Sequence, residues 1–250
     1  MKHPSCYYFI CLCYLLAVVA QGSETCWTKK NTATKFPPTA NSHCHGYYGI
    51  KTNRKLVALT FDDGPDTIYT RKIINVLGNY GIRATFFMVG QNVLKHPELV
   101  MMAHLQGHII ANHTFSHKKL SILDKWATEQ EILEGNYAIF EALGKYPLLF
   151  RPPYGACSKL LHEVVEDLGL NTIMWSSTTD DFNTQLTSPE KIADEVLNLV
   201  HPGTIILLHD GGGKTRQKTV DALALIIKEL QKRDYKFVTV PELLQLEPYL

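Results

Sequence analysis

The sequence predicts an α/β protein built on a parallel sheet, on three observations. Seven short apolar runs of strand length alternate with six amphipathic segments of helix length. Parallel strands need a crossover element between them, and an intervening helix supplies it. Five of the runs end directly in polar residues of catalytic types, as strand ends do where they gather on one functional face. An open doubly wound sheet and a closed (β/α) barrel both satisfy this alternation.

The chain opens on Lys2 and an apolar stretch, Tyr7–Ala20, with small residues in Val18-Val19-Ala20 and Ala20-Gln21-Gly22. This pattern is expected of an export signal over residues 1–22. The stretch is short for a bilayer span, so stable membrane insertion is not expected, with an uncleaved anchor as the alternative. Residues 23–54 are rich in Thr, Asn, Lys, Pro and Gly without periodicity and are expected to form an N-terminal arm. Removal of the signal takes away Cys6, Cys11 and Cys13. Cys26 and Cys44 are then expected to close a short loop in an oxidising compartment, leaving Cys157 free, although three thiols do not fix the pairing.

Residues 55–250 form the expected catalytic domain. Its strands are expected at Leu56–Phe61, Thr85–Val89, His108–Ala111, Leu148–Arg151, Thr172–Trp175, Thr204–Leu208 and Phe237–Val240. Helices are expected around Tyr69–Tyr80, Pro97–Gln106, Thr128–Leu143, Ser158–Leu168, Pro189–Leu199 and Thr219–Lys232, several of them starting at Ser, Thr or Pro. A formal net charge of only +1 argues against nucleic acid as a partner and suits a neutral ligand such as a glycan.

The residues at the strand ends carry the chemistry. Asp62-Asp63-Gly64-Pro65 follows the first strand, His113-Thr114-Phe115-Ser116-His117 the third, and Arg151-Pro152-Pro153-Tyr154 the fourth. Asp180-Asp181-Phe182 follows the fifth, and His209 ends the sixth. One carboxylate with two imidazoles suits a catalytic divalent metal with open coordination positions, so Asp63, His113 and His117 are the candidate ligands. Asp62 is the candidate base, Arg151 its ionic partner and His209 the candidate acid. Each motif alone is more often a turn, a surface pair or a core histidine. Their joint placement at successive strand ends favours the functional reading.

These motifs, in this order, resemble those of the polysaccharide deacetylases of carbohydrate esterase family 4, whose shared unit is the NodB homology domain. The resemblance covers roughly Lys55 to Leu246 and implies a distorted, incomplete (β/α) barrel of about seven parallel strands. It implies Asp62 as base, Asp63, His113 and His117 as ligands of zinc or alternatively cobalt, and Arg151 as the group orienting the base. It further implies a Tyr154 backbone N–H at the oxyanion site, Leu207 in the acetate pocket, and His209 as acid tuned by Asp181. One motif departs from the family pattern: Thr178 stands where an aspartate is usual, and Phe182 where a tryptophan is usual. Phe182 keeps an apolar wall and loses the indole N–H, which leaves substrate preference open. The implied activity is removal of N-acetyl groups from an acetylated amino-sugar polysaccharide such as peptidoglycan or chitin. The protein is expected to be monomeric and secreted, or held in the periplasm or cell envelope. An O-acetyl esterase acting on a xylan-like glycan and a carbohydrate-binding pseudoenzyme are the alternatives.

Overall fold

The computed structural model describes residues 45–183 and 185–250. The expected export segment, Cys26 and Cys44 lie outside the described residues. Seven strands, β1 (Leu56–Asp62), β2 (Thr85–Met88), β3 (Ile109–Asn112), β4 (Leu149–Phe150), β5 (Asn171–Thr172), β6 (Thr204–His209) and β7 (Lys236–Phe237), pair in parallel throughout. Their order is β5-β4-β3-β2-β1-β6, with β7 on β1. Because β6 pairs with β1 from Val57 to Asp62, β7 and β2 share the opposite edge, β7 at the start of β1 and β2 at its end.

Eight α-helices surround the sheet among the described residues: α1 (Tyr69–Asn79), α2 (Gly90–Lys95), α3 (Pro97–Leu105), α4 (Lys125–Leu143), α5 (Lys159–Asp167), α6 (Pro189–Leu199), α7 (Gln217–Lys232) and α8 (Val240–Leu244). Their starts follow from local chemistry: Asp124, Ser158 and Ser188 accept hydrogen bonds from the first-turn amides of α4, α5 and α6. Helices α2 and α8 are additions to the six expected. The strand expected at Phe237–Val240 ends at Phe237 instead, because Thr239 and Glu242 form a reciprocal capping box that starts α8. None of the described helices is long and apolar enough to cross a membrane.

The period-two alternation of β1 sorts its side chains into two cores. Val57, Leu59 and Phe61 face the outer helices with Ile73, Phe86 and Ile226. Leu56 and Ala58 face inward with Phe87, Ala111, Leu149 and Ile205, and Val240, Leu243 and Leu244 of α8 plug this interior beneath the starts of β1 and β2. The sheet is therefore a curled, incomplete barrel, sealed by apolar side chains at the strand starts.

Edge strands β5 and β6 are not joined by a ladder of their own. Residues 45–50, within the stretch expected as an arm, lie in the seam: Tyr47 N–H donates to Thr172 at 2.9 Å and Ile50 N–H to Gly203 at 3.0 Å. Above them an isolated bridge pairs Ser177 with Ile206. Close by, His45 stacks on His162 of α5 at 4.3 Å between ring centres. Cys157, at the entry to α5, is disulfide-bonded, which corrects the expectation of a free thiol. It is the sole cysteine among the described residues, so its partner lies outside them. Sequence spacing gave no access to this pairing, because three thiols outside the expected signal leave the pairing open.

Candidate active site

Strand parity aims the candidate residues at one point. Ala58 and Asp62 share the inward parity of β1, Ile205, Leu207 and His209 that of β6, Ala111 and His113 that of β3, and Leu149 and Arg151 that of β4. With the strand starts plugged, the polar residues meet at the open, C-terminal end. They line a cavity of about 680 Å³ that takes in Asp62, Asp63, His113, His117, Tyr154, Leu207, Phe182 and His209.

Arg151 is completely buried, and its guanidinium is fixed by four partners. Nη1 donates to Asp62 Oδ1 at 2.7 Å and to Thr60 Oγ1 at 2.8 Å, while Nε and Nη2 donate to the carbonyls of Ile173 and Met174. Its face lies 3.9 Å from the Phe87 ring centre, a cation–π contact shielded from water. Burial pulls the guanidinium pKa down and Asp62 opposes it. A buried charge needs such a partner, so Asp62 is held in one rotamer.

Asp63 follows β1 in the left-handed backbone region, with φ of 77°, and its carboxylate, like that of Asp62, lies beside His113 Nε2. Asp63 Oδ1 lies 3.5 Å from His113 Nε2 and 3.0 Å from His117 Nε2. Burial alone would raise the Asp63 carboxyl, but hydrogen bonds with His113 and His117 and the charges of His113 and His209 hold it well below the usual carboxylate range. His113 Nδ1 lies 2.7 Å from the Arg151 carbonyl, which can only accept, so Nδ1 carries a proton and Nε2 is the ring atom turned towards Asp63. One ligand atom from each of the three residues falls within 4.8 Å of the others. This two-nitrogen, one-oxygen donor set fits a borderline divalent cation.

The loop that presents His117 is braced from α4. Thr114 and His117 both have positive φ, and Asn112 Oδ1 accepts from Thr114 N–H while Asn112 Nδ2 donates to Asn136 Oδ1 and to the Ile132 carbonyl. Glu131 accepts from both the amide and the hydroxyl of Ser116. Gly135 lets this loop touch the helix, since a Cβ there would meet Asn112 Oδ1 and the Thr114 backbone.

Across the cavity, His209 Nδ1 bonds to Asp181 Oδ1 at 2.7 Å, and Asp181 Oδ2 accepts from His209 N–H and Thr219 Oγ1. Burial alone would lower the imidazole, but the Asp181 carboxylate, helped by Asp62 and Asp63, pushes its pKa up to about 9. Tyr154 and Phe182 form exposed parts of the rim: the Tyr154 ring packs edge-on against His117 at 4.8 Å, and the Phe182 ring is 6.5 Å from that of His209. Tyr154 has φ of 62°, so its backbone too is left-handed at the cavity wall.

Two further buried residues back the site: Arg216, which the sequence did not single out, and Asp210, which it placed beside His209 at the end of the sixth strand without a role. Arg216 donates to the carbonyls of Gly211 and Asp181, and its Nη2 stands 4.0 Å from Asp63 Oδ2. Asp210 accepts from Gly64 N–H and Thr70 Oγ1 behind the Asp63 turn, and burial together with the charges of Asp63 and Asp62 pushes its pKa up to about 7. The one available signal was position, since both follow the end of β6.

Comparison with known proteins accords with this geometry. The profile described as Polysaccharide deacetylase matches residues 49–173. A peptidoglycan-N-acetylglucosamine deacetylase from Bacillus cereus is 41% identical over 196 residues, covering 78% of this chain and 91% of the relative. A chitooligosaccharide deacetylase from Rhizobium leguminosarum bv. trifolii is 35% identical, covering 74% of this chain and 90% of the relative. The crystal structure of a peptidoglycan N-acetylglucosamine deacetylase in complex with an N-oxidanyl-benzamide superposes with a TM-score of 0.77 at 34% identity, over 80% of this chain and 93% of that one. The chain belongs to the polysaccharide deacetylase family.

Proposed function

We propose that the chain is a secreted, metal-dependent N-deacetylase that hydrolyses the acetamide of N-acetylglucosamine units in a polysaccharide and releases acetate. One observation carries this reading: the Asp63, His113 and His117 cluster sits between an Arg151-clamped Asp62 and an Asp181-paired His209 in one cavity. Asp63, His113 and His117 would hold the metal, with zinc as the fitting ion and cobalt as the alternative. A bound divalent cation supplies Lewis acidity for the acetamide carbonyl and acidifies water.

The protein's own groups perform the proton transfers. Asp62, ion-paired with and oriented by Arg151, takes the proton from the attacking water. His209, kept protonated by Asp181, donates to the departing amine nitrogen. The Tyr154 N–H serves as the oxyanion donor, a role supported by the left-handed turn of Tyr154 at the cavity wall. Leu207, nearly buried in that wall, takes the acetyl methyl, and the exposed Phe182 ring covers a sugar face. The joint presence of these groups weighs against a pure binding protein. The disulfide at Cys157 supports an oxidising compartment, in keeping with an export signal over 1–22.

The test is acetate release from N-acetylglucosamine oligomers and from peptidoglycan, with zinc added or chelated and with Asp62→Asn in parallel. Release that is lost on chelation and in the variant is the expected result. Release from acetylated xylan alone would move the assignment to an O-acetyl esterase, and zinc binding without any release would move it to a binding protein.

A further inference from the structure

Gly211-Gly212-Gly213 carries the chain from the end of β6 towards Arg216, at the start of α7. The run lies directly on the Asp63 turn: a Cβ on Gly211 would meet the Asp63 carbonyl, and one on Gly212 the Asp63 carboxylate. Glycine permits so close an approach, and it leaves the run without side chains to hold it there. Arg216 supplies the hold. Its side chain is buried, a Cβ on Gly213 would lie 3.0 Å from its guanidinium carbon, and Nε donates to the Gly211 carbonyl at 2.6 Å. Nη1 donates to the Asp181 carbonyl at 3.1 Å, while Thr219, in the first turn of α7, donates to the carboxylate of the same Asp181. With Nε and Nη1 anchored on backbone, the rigid fork has one nitrogen left. That nitrogen, Nη2, stands 4.0 Å from Asp63 Oδ2, and Arg216 thereby lines the catalytic cavity.

The two oxygens of Asp63 are divided by these contacts. Oδ1 is turned to His113 and His117, Oδ2 to Arg216 and Gly212. Asn92 Nδ2 donates to the Asp63 carbonyl at 3.0 Å and fixes the backbone of the same turn from α2. Arg216 and Asp63 are both largely shielded from water, so their attraction is little screened. At 4.0 Å it is an ion pair without a hydrogen bond, which orients the carboxylate more than it holds it. We infer that Arg216 is a positioning residue for the metal centre: it keeps Asp63 Oδ2 off the cation, so that Asp63 binds through Oδ1 alone. A carboxylate that turned both oxygens to the cation would fill a position that a catalytic site keeps open for water and substrate. The same guanidinium ties this ligand to Asp181, and through it to His209. This inference rests on the metal-site reading of Asp63, His113 and His117 and adds to it a residue outside the strand-end motifs.

The experiment compares Arg216→Gln and Arg216→Lys with the parent. Zinc affinity is measured by competition with a chelator, the visible spectrum of the cobalt-loaded protein reports coordination number, and urea denaturation confirms that each variant is folded. Arg216→Gln keeps an amide donor for a loop carbonyl but removes the charge facing Oδ2. It should lower zinc affinity about 10- to 100-fold, and its cobalt bands should weaken as the second oxygen of Asp63 joins the coordination shell. Arg216→Lys restores a cation without the fork and should lose less. A folded Arg216→Gln with the parent's zinc affinity and cobalt spectrum would make Arg216 a structural anchor only and overturn the inference. A crystal structure of the zinc-loaded parent decides the point even if the variants do not fold: both Asp63 oxygens on the ion would overturn it, and Oδ1 alone would support it. A parent that binds no zinc or cobalt at this cluster would overturn the metal-site reading itself, a result distinct from unchanged variants.

Discussion

Asp62 and His209 are register partners across β1 and β6, so the two ionisable groups proposed to exchange protons with substrate project from adjacent strands at the same level of the barrel. Each is backed by a different buried partner, Arg151 for Asp62 and Asp181 for His209. The charge of the site is thereby set from behind, by groups that substrate does not touch.

Replacing Arg151 with Met tests the first backing group. The change removes four hydrogen bonds and leaves Asp62 buried without its cation, so stability should fall by about 3–5 kcal/mol. Urea denaturation reads the stability, and kcat at a temperature where the variant stays folded reads the base. An unchanged kcat in folded Arg151→Met would exclude a role in orienting Asp62.

The second backing group sets a pH limit. His209 is raised from 6.5 to about 9, so its pairing with Asp181 stabilises the fold fully below about pH 6.5, and that contribution is lost as pH rises through about 9. Catalysis that needs the imidazolium should decline over the same upper range. Asp181→Asn removes the charge that raises the pKa, so the basic limb of the pH–rate profile should move to lower pH. A limb that stays in place would assign it to another group.

Gly212 has φ of 72°, and a Cβ there would collide with Asp63 Oδ2. Gly212→Ala should therefore displace the candidate ligand and weaken zinc binding about tenfold or more, the loss that disturbing the groups orienting a metal ligand typically brings. Competition with a chromophoric chelator measures it. Zinc affinity equal to the parent's would remove Asp63 from the ligand set.

Phe182 stands where the family usually has tryptophan, and its ring is exposed at the rim. Phe182→Trp adds an N–H donor and stacking area, which should lower KM roughly two- to tenfold while kcat stays within about twofold. A change confined to kcat would instead mean that the ring acts on His209.

The sequence disclosed the site more completely than the frame around it. Asp62, Asp63, His113, His117, Arg151 and His209 were legible because strand ends convert linear order into convergence. Glu131 and Arg216 were not, because their roles arise from contacts between loop and helix such as Ser116 on Glu131. Strand positions drifted by a residue or two where pairing outweighed local hydrophobicity: β4 and β5 are two residues each, although longer apolar runs surround them. The choice between an open sheet and a barrel depended on Tyr47 and Ile50 filling the seam, contacts that no local pattern encodes.

That seam also orders events during synthesis. Thr60 and its partner Ile206 are 146 residues apart, and Ile50 must wait for Gly203. A nascent chain can present Asp62, both histidines and Arg151 while β6 is still unmade, but it then lacks His209 and the strand that seats against β1. Contacts of such long range form late. The enzyme is thus assembled inert, and its chemistry is completed by nearly the last strand to leave the ribosome.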